Sequence, residues 1–408
     1  MNSSRAATPK QSGLTAVRIN PTVGDNKWFS GQVTIHRSLD EIAPDHWNAL
    51  VPEDSPILQH QFLTALERTG CVIPDTGWEP HHLAIYHADH LLAAAPCYLK
   101  YHSYGEYIFD WDWAHAYQQA GLKYYPKILL AIPFTPITGK RLLIHPDADA
   151  QFARVALSAA ALELAEKTSA SSIHSLFTLS EDNKALKTAG FVPRRSNQFH
   201  WRNQGYRNFG EFLAALSSKR RKNILRERRG MNSEGMTFRW LNGRETTAND
   251  WSFFYSCYRT TIAEHGAIPY LNEAFFQLLG QTMPNGVRLL VASRQGHDIA
   301  AAFFLLGERS LFGRYWGAID RIPNLHFETC FYQPIEYCIR NRLQRFEAGA
   351  QGEHKLNRGL IPAPVLSMHW LSHPGFFDAV QRYAQSEWEH VEQYQTILHA
   401  HSPYRKEQ

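Results

Sequence analysis

Between Arg345 and Arg358 the chain reads RFEAGAQGEHKLNR, a run that gathers a carboxylate, an imidazole and several cations. If Arg345 to Ala350 is a strand, Phe346, Ala348 and Ala350 lie on one side and Glu347 and Gly349 on the other. Gly349 and Gly352 carry no side chain, so a ligand can come close to the backbone there, with Gln351 between them. A carboxylate close to an imidazole can supply a general base. Glu347 is the first candidate for that base and His354 the second. Lys355 and Arg358 are candidate anion ligands. The plain alternative is a polar turn holding local salt bridges.

A second constellation is SSKRRKNILRERRG, in which Lys219, Arg220, Arg221, Lys222, Arg226, Arg228 and Arg229 crowd together. At helical spacing they cover most of the circumference. Such density calls for counter-charge, either an anionic partner or partial compensation by Glu227. Lys219, Arg221, Lys222 and Arg226 are therefore candidate phosphate ligands. In YGEYIFDWDW a strand reading places Glu106, Asp110 and Asp112 on one face and aromatic residues on the other. Asp110 and Asp112 would then hold an amine, or else serve as an ion-pair partner and a helix cap. In FGRYWGAI, Arg314, Tyr315 and Trp316 lie on a strand before a helix and are candidate ligand contacts. Tyr315 and Tyr332 are candidate proton donors to a leaving group. The pair Glu387 and His390 matches only half of a di-iron pattern, and the histidines lack zincin-like spacing, so no metal is expected.

The elements that would position these groups come twice. SPILQHQFLTALERTG, HLAIYHADHLLAAAPCYLK and SYGEYIFDWDWAHAYQQAG are answered by IPYLNEAFFQLLGQTM, RLLVASRQGHDIAAAFFLLG and SLFGRYWGAID, about 205–215 residues later. Each copy runs from a short amphipathic helix into two apolar strands joined by a polar turn, then an aromatic third strand. That spacing fits two domains with a ligand cleft between them. The expected division is a disordered tail over 1–27, a first domain over 28–205, a second over 206–374 and a docking helix with its tail over 375–408. Expected details include strands over Glu106 to Trp111 and Ile128 to Phe134, and a cap at Asp112.

A chain of 408 residues with 44% hydrophobic and 20% charged residues has the composition of a soluble globular protein. A net charge of +4 does not by itself imply nucleic acid. The five cysteines form no CxxC pair and read as free thiols in a reducing compartment. No apolar run approaches the ~20 residues a membrane helix needs. A cytoplasmic location and no membrane insertion are expected.

The order of strands and helices resembles the GNAT acyltransferase fold, and EDNKALKTAGFVPRRSNQFHW looks like a GNAT closing unit. Two such domains in tandem, with SSKRRKNILRERRGMNSEGMTF opening the second, resemble the Fem-type peptidoglycan aminoacyltransferases. HSYGEYIFDWDWAHAY, YYPKILLAIPFTPITGKRLL, FGRYWGAI and FEAGAQGEHKLNRG are similar to signatures of a predicted N-acyltransferase family grouped with FemAB-like proteins. The resemblance spans roughly residues 30–395 and implies an α/β fold of two tandem GNAT-like domains. It implies transfer of an acyl or aminoacyl group from acyl-CoA or aminoacyl-tRNA to an amine, on a cell-wall-precursor-like or other phosphate-bearing acceptor, with tRNA as a partner under the second donor. It also implies a splayed strand near Tyr315 to Gly317 whose free N–H groups would stabilise an oxyanion. The chain departs from the GNAT pattern in lacking the Arg/Gln-x-x-Gly-x-Gly/Ala loop: TPITGKR and DRIPNLH stand in its place. The alternative reading is a non-catalytic module binding nucleotide-linked or RNA ligands.

Overall fold

The computed structural model describes residues 32–350 and 352–405, so the tail expected over 1–27 and the candidate Gln351 lie outside the described residues. The first half opens with β1 (Gln32–His36), α1 (Pro44–Asn48) and α2 (His60–Arg68). It continues through β2 (Trp78–Pro80), β3 (His82–His87), β4 (His90–Ala95), β5 (Cys97–Lys100), α3 (Trp111–Gln119) and β6 (Lys127–Leu130). β7 (Leu143–Ile144), α4 (Ala150–Thr168), β8 (Ser172–Thr178), α5 (Ser180–Thr188) and β9 (Val192–Arg202) complete it. The second half contains α6 (Phe209–Ala215), α7 (Ser218–Ser233), β10 (Met236–Asn242), α8 (Ala248–Glu264), α9 (Glu273–Thr282), β11 (Val287–Arg294), β12 (His297–Leu306) and β13 (Ser310–Ala318). After β13, α10 (Leu325–Phe327), a π turn over Glu328–Tyr332 and α11 (Gln333–Arg340) follow without a break. β14 (Arg345–Glu347), a 3-10 turn over Glu353–Arg358, β15 (Ile361–Leu371) and α12 (Pro374–Ala400) end the fold.

Local chemistry explains the helix starts. The Asp149 carboxylate accepts from Phe152 N–H at the head of the Ala-rich α4, and Thr247 with Asp250 forms a capping box at α8. α12 packs through buried Val380 and Ala384.

Eleven strands form one sheet in the order β10-β11-β12-β13-β14-β9-β15-β8-β6-β5-β2, beside a smaller sheet β1-β3-β4-β7. β9 closes the first half in sequence yet lies between β14 and β15, and β15 lies between β9 and β8. Each half thus donates its last strand to the other, and the two donated strands pair antiparallel from Ile361↔His200 to His369↔Val192. The cleft expected between two domains therefore does not separate two sheets, because the halves share one sheet of eleven strands. A buried strand edge needs partners for its N–H and C=O groups, and here the partner comes from the opposite half. The repeated helices α2 and α9 pack together, with Phe62 edge-on to Phe275 at 5.8 Å, inside a core that runs through both halves.

The copies differ where the first was misread. Residues 101–110 form a loop, not a strand: Gly105 and Tyr107 have φ of +82° and +63°. α3 starts at Trp111 with Asp110, not Asp112, at the cap position. The apolar strand expected to Phe134 stops at Leu130, and Phe134 has φ +57°. β12 is one continuous strand with a register shift at Phe303/Phe304, whereas its first-half counterpart is split at Pro96 into β4 and β5. Proline offers no N–H to a ladder, and the β3–β4 hairpin joins the smaller sheet.

Candidate active site

β13 and β14 run parallel, but their pairing is confined to Ser310↔Arg345, Leu311↔Phe346 and Phe312↔Glu347. β13 continues to Ala318 while β14 ends at Glu347, so the strands part and a pocket of about 220 Å³ opens between them. Gly313, Arg314, Tyr315 and Trp316 line one wall. Ala348, Ala350, His354 and Lys355 line the other. Phe303 and Phe304 contribute apolar surface, and Cys330 and Phe331 reach in from the π turn, an irregularity common at functional sites. Past Phe312 this edge of β13 has no strand partner among the described residues, which leaves backbone N–H groups for a ligand. The indole Nε1 of Trp316 is buried without a hydrogen-bond partner. Gly317 is required by packing, because a Cβ there would stand 1.9 Å from the Cys257 carbonyl oxygen of α8.

A second cavity, of about 340 Å³, shares Trp316 and His326 with the first and includes the glycine-free loop Asp320 to Asn324. Arg321 in that loop is paired with Glu264 at 2.8 Å.

Two imidazoles face the pocket. Partial desolvation, reinforced by Arg358 and Lys355, lowers the pKa of His354, whose ring stays open to solvent. Burial together with His354 and Arg358 pushes His326 down to about 4. Both are therefore neutral at neutral pH and able to accept a proton. The backbone at Gly352 has φ +113°, and a Cβ there would lie 2.4 Å from the His354 ring, so glycine at this position allows the ring its place. Lys355 is buried, its Nζ donates to Gly349 O at 2.8 Å, and burial pulls its pKa down to about 8. Arg314 donates to the carbonyl of Phe134, and the Tyr315 hydroxyl donates to the same oxygen at 3.2 Å. A loop of the first half is thus tied to the pocket in the second.

Glu347 stands elsewhere. It is 3% exposed and is not among the pocket-lining residues. Its side chain lies opposite Phe346 and Ala348, 3.2 Å from Arg345 Nε, and neither carboxylate oxygen has a hydrogen bond. Burial pushes its pKa up to about 7, against the pull of Arg345. Tyr332 donates its hydroxyl to Glu227, and Arg358 binds the same carboxylate at 3.2 Å while stacking 3.3 Å over Phe327. Tyr332 and Arg358 therefore stand outside the lining of the pocket. In α7, Glu227 serves Arg358, and Arg228 is held by Glu328 and Glu336. Lys219, Arg221, Lys222 and Arg226 have no acidic partner among the described residues. α7 packs beside the Glu353–Arg358 turn and the π turn, through the Glu227–Arg358 and Arg228–Glu328 pairs.

Asp110 and Asp112 are not at that pocket. Asp112 is exposed. Asp110 belongs to a buried polar cluster of the first half, where it accepts from Tyr124 at 2.6 Å and from Lys127. Lys127 also donates to Glu106 and Ser103, each at 2.8 Å. His174 stands 3.6 Å from Asp110, and its Nδ1 lies 2.6 Å from Nδ1 of His369. His369 comes from β15, so the donated strand completes the cluster.

The sequence reading missed His326, Cys330 and Phe331. His326 and Cys330 are four apart in a helical run, which is the spacing that places two side chains on one face.

The FemAB-like family model, described as peptidoglycan biosynthesis/recognition, matches residues 38–406. The chain belongs to the FemAB-like family. Among solved structures it is similar to FemX at 10% identity, covering 86% of this chain and 100% of that one with a TM-score of 0.53. It is also similar to the C-terminal domain of a putative lysylphosphatidylglycerol synthetase from Agrobacterium fabrum at 9% identity, covering 86% and 97% with a TM-score of 0.51. A tandem GNAT protein from the clavulanic acid pathway aligns at 10% identity over 85% and 99%, with a TM-score of 0.44. The chain shares the fold of FemX. A comparison with curated protein sequences gives no match. Among the described residues no helix is long and apolar enough to cross a membrane, and no group of three or more His, Cys, Asp or Glu could hold a metal ion.

Proposed function

We propose that this FemAB-like protein is an N-acyltransferase, moving an acyl or aminoacyl group from a phosphate-bearing activated donor to a substrate amine. The observation that carries the proposal is the pocket at the β13–β14 splay, where an unpaired strand edge faces a neutral imidazole. The amine attacks the donor carbonyl, and His354 accepts the proton that the nitrogen loses. N–H groups along Gly313 to Trp316, with the unpartnered Trp316 indole, stand ready for the oxyanion. Lys355, with a pKa of about 8, is the candidate to protonate the leaving group. Arg314 and Tyr315 hold the wall against the first half.

Lys219, Arg221, Lys222 and Arg226 would bind the donor's phosphates, because counter-charge for them is missing among the described residues. Acyl-CoA and aminoacyl-tRNA both meet that requirement. A phosphate-bearing, cell-wall-precursor-like amine is the proposed acceptor, consistent with the family's description. A cytoplasmic location and the division into halves at 205/206 belong to the same proposal. The glycine-free loop from Asp320 to Asn324 favours a second reading, a binding module that kept the fold without the chemistry. Incubating the protein with charged tRNA or acyl-CoA and a cell-wall-precursor amine, and weighing the amine by mass spectrometry, tests the choice. An acyl adduct that disappears in His354→Gln supports transfer; binding without an adduct supports the module.

A further inference from the structure

We propose that the acyl group taken by this pocket carries a carboxylate and no ammonium, so that the donor is a thioester of a dicarboxylic acid and not an aminoacyl ester. This rests on the transferase reading of the same pocket and decides between its two donor classes.

The charges around the pocket carry the inference. Arg314 and Lys355 line it, and both imidazoles are neutral. Among the described lining residues there is no carboxylate. The nearby acids other than Asp320 are engaged elsewhere. Glu227 is held by Arg358 and Tyr332. Glu328 is held by Arg228, and Glu353 accepts from Tyr394 on α12. Glu347 is paired with Arg345 on the other side of the strand. In the adjoining cavity, beyond Trp316 and His326, Glu264 is paired with Arg321, leaving Asp320 outside the pocket that receives the acyl group. An ammonium at the end of the acyl group would meet two cations in a space whose described lining holds no anion, Glu347 acting on Arg314 from outside that lining. A carboxylate would meet two cations that each retain N–H donors beyond those already bonded to Gly349 and Phe134.

The transfer step balances with such a donor. The neutral amine attacks the thioester carbonyl, the C–N bond forms and the C–S bond breaks. One N–H proton passes to His354, while Lys355 gives a proton to the departing thiolate and regains one from the acid form of His354, giving an amide and a free thiol.

The test uses three N-acetylcysteamine thioesters of similar size: succinyl, butyryl and 4-aminobutanoyl. Dissociation constants are measured on the full chain by magnetic resonance titration. The succinyl ester is expected to bind at least tenfold more tightly than the 4-aminobutanoyl ester. Lys355→Gln, and separately Arg314→Gln, should each cut that ratio to threefold or less, with circular dichroism and melting confirming that the variants fold. Equal or tighter binding of the 4-aminobutanoyl ester overturns the donor class and leaves the transferase reading standing. A ratio unchanged in both variants overturns the assignment of the cations. If none of the three binds, the donor class and the transferase reading fall together.

Discussion

Replacing Lys127 with Met leaves two carboxylates buried without the cation they share. Lys127 is fully buried, and Glu106 and Asp110 are 4% and 3% exposed. Its Nζ donates to Glu106, Asp110 and Ser103 at once. Removing one partner of a buried pair costs about 3–5 kcal/mol, because the remaining charge cannot reach water. An unfolding entropy of roughly 2.1 cal/mol/K per residue over about 370 described residues gives near 0.8 kcal/mol/K, so the melting temperature should fall by about 4–6 °C. The double variant Asp110→Asn, Lys127→Met should lose less than the sum of the single variants, since the groups act on one another. The pH dependence has a definite sign. Burial raises the Asp110 pKa, but Lys127 and His174 outweigh it and hold the group below the carboxylate range. Its stabilisation is present above the unfolded value of about 3.9 and is lost as pH falls through the depressed folded value. Glu106, pushed up to about 7 by burial, acts oppositely and weakens the fold as pH rises toward neutrality. The deficit of Lys127→Met should therefore shrink in acid. Calorimetry between pH 3 and pH 8 measures it, and a variant melting within 1 °C of the parent at neutral pH would refute the assignment.

His354→Gln should lower kcat/KM by about 10²–10⁴-fold, the usual contribution of a general base. Because the His354 pKa is lowered, the acid limb of the parent pH–rate profile should lie below about 6.5, the unperturbed value; a limb above that value would contradict the role. Glu347→Gln should keep at least about a tenth of the activity, a loss short of what removing a general base brings, since Glu347 does not line the pocket; a loss as deep as that of His354→Gln in a folded variant would restore Glu347 as the base. Changing Lys219, Arg221, Lys222 and Arg226 together to Gln should weaken donor binding at least about tenfold at low salt and flatten its salt dependence. Titrations at two ionic strengths would show it, and an unchanged slope would exclude α7 from phosphate binding.

Much of the site was legible because its chemistry is local. FGRYWGAI and FEAGAQGEHKLNRG each supply one wall of the pocket, and their compositions mark them. The charge on α7 was visible for the same reason. Alternation correctly put Glu347 opposite Ala348, but period two does not say which face meets the pocket, and that face is the one with Ala348. The strand exchange left no trace in sequence, because β9 and β15 read as ordinary closing strands and nothing local names their neighbours. The loop over 101–110 imitated a strand by alternating apolar and acidic residues, although Glu106 and Asp110 turn inward to Lys127. Pro96 was readable as a break, but which sheet each fragment joins depends on the partner edges.

The claim that the β13–β14 splay is where an activated acyl group is transferred can be tested most directly with a bound donor analogue. A crystal structure of the full chain with a non-hydrolysable thioether of the donor should place the carbonyl-equivalent atom between Gly313 to Trp316 and His354. Clear density in the first half instead, or at the surface with that pocket empty, would contradict it.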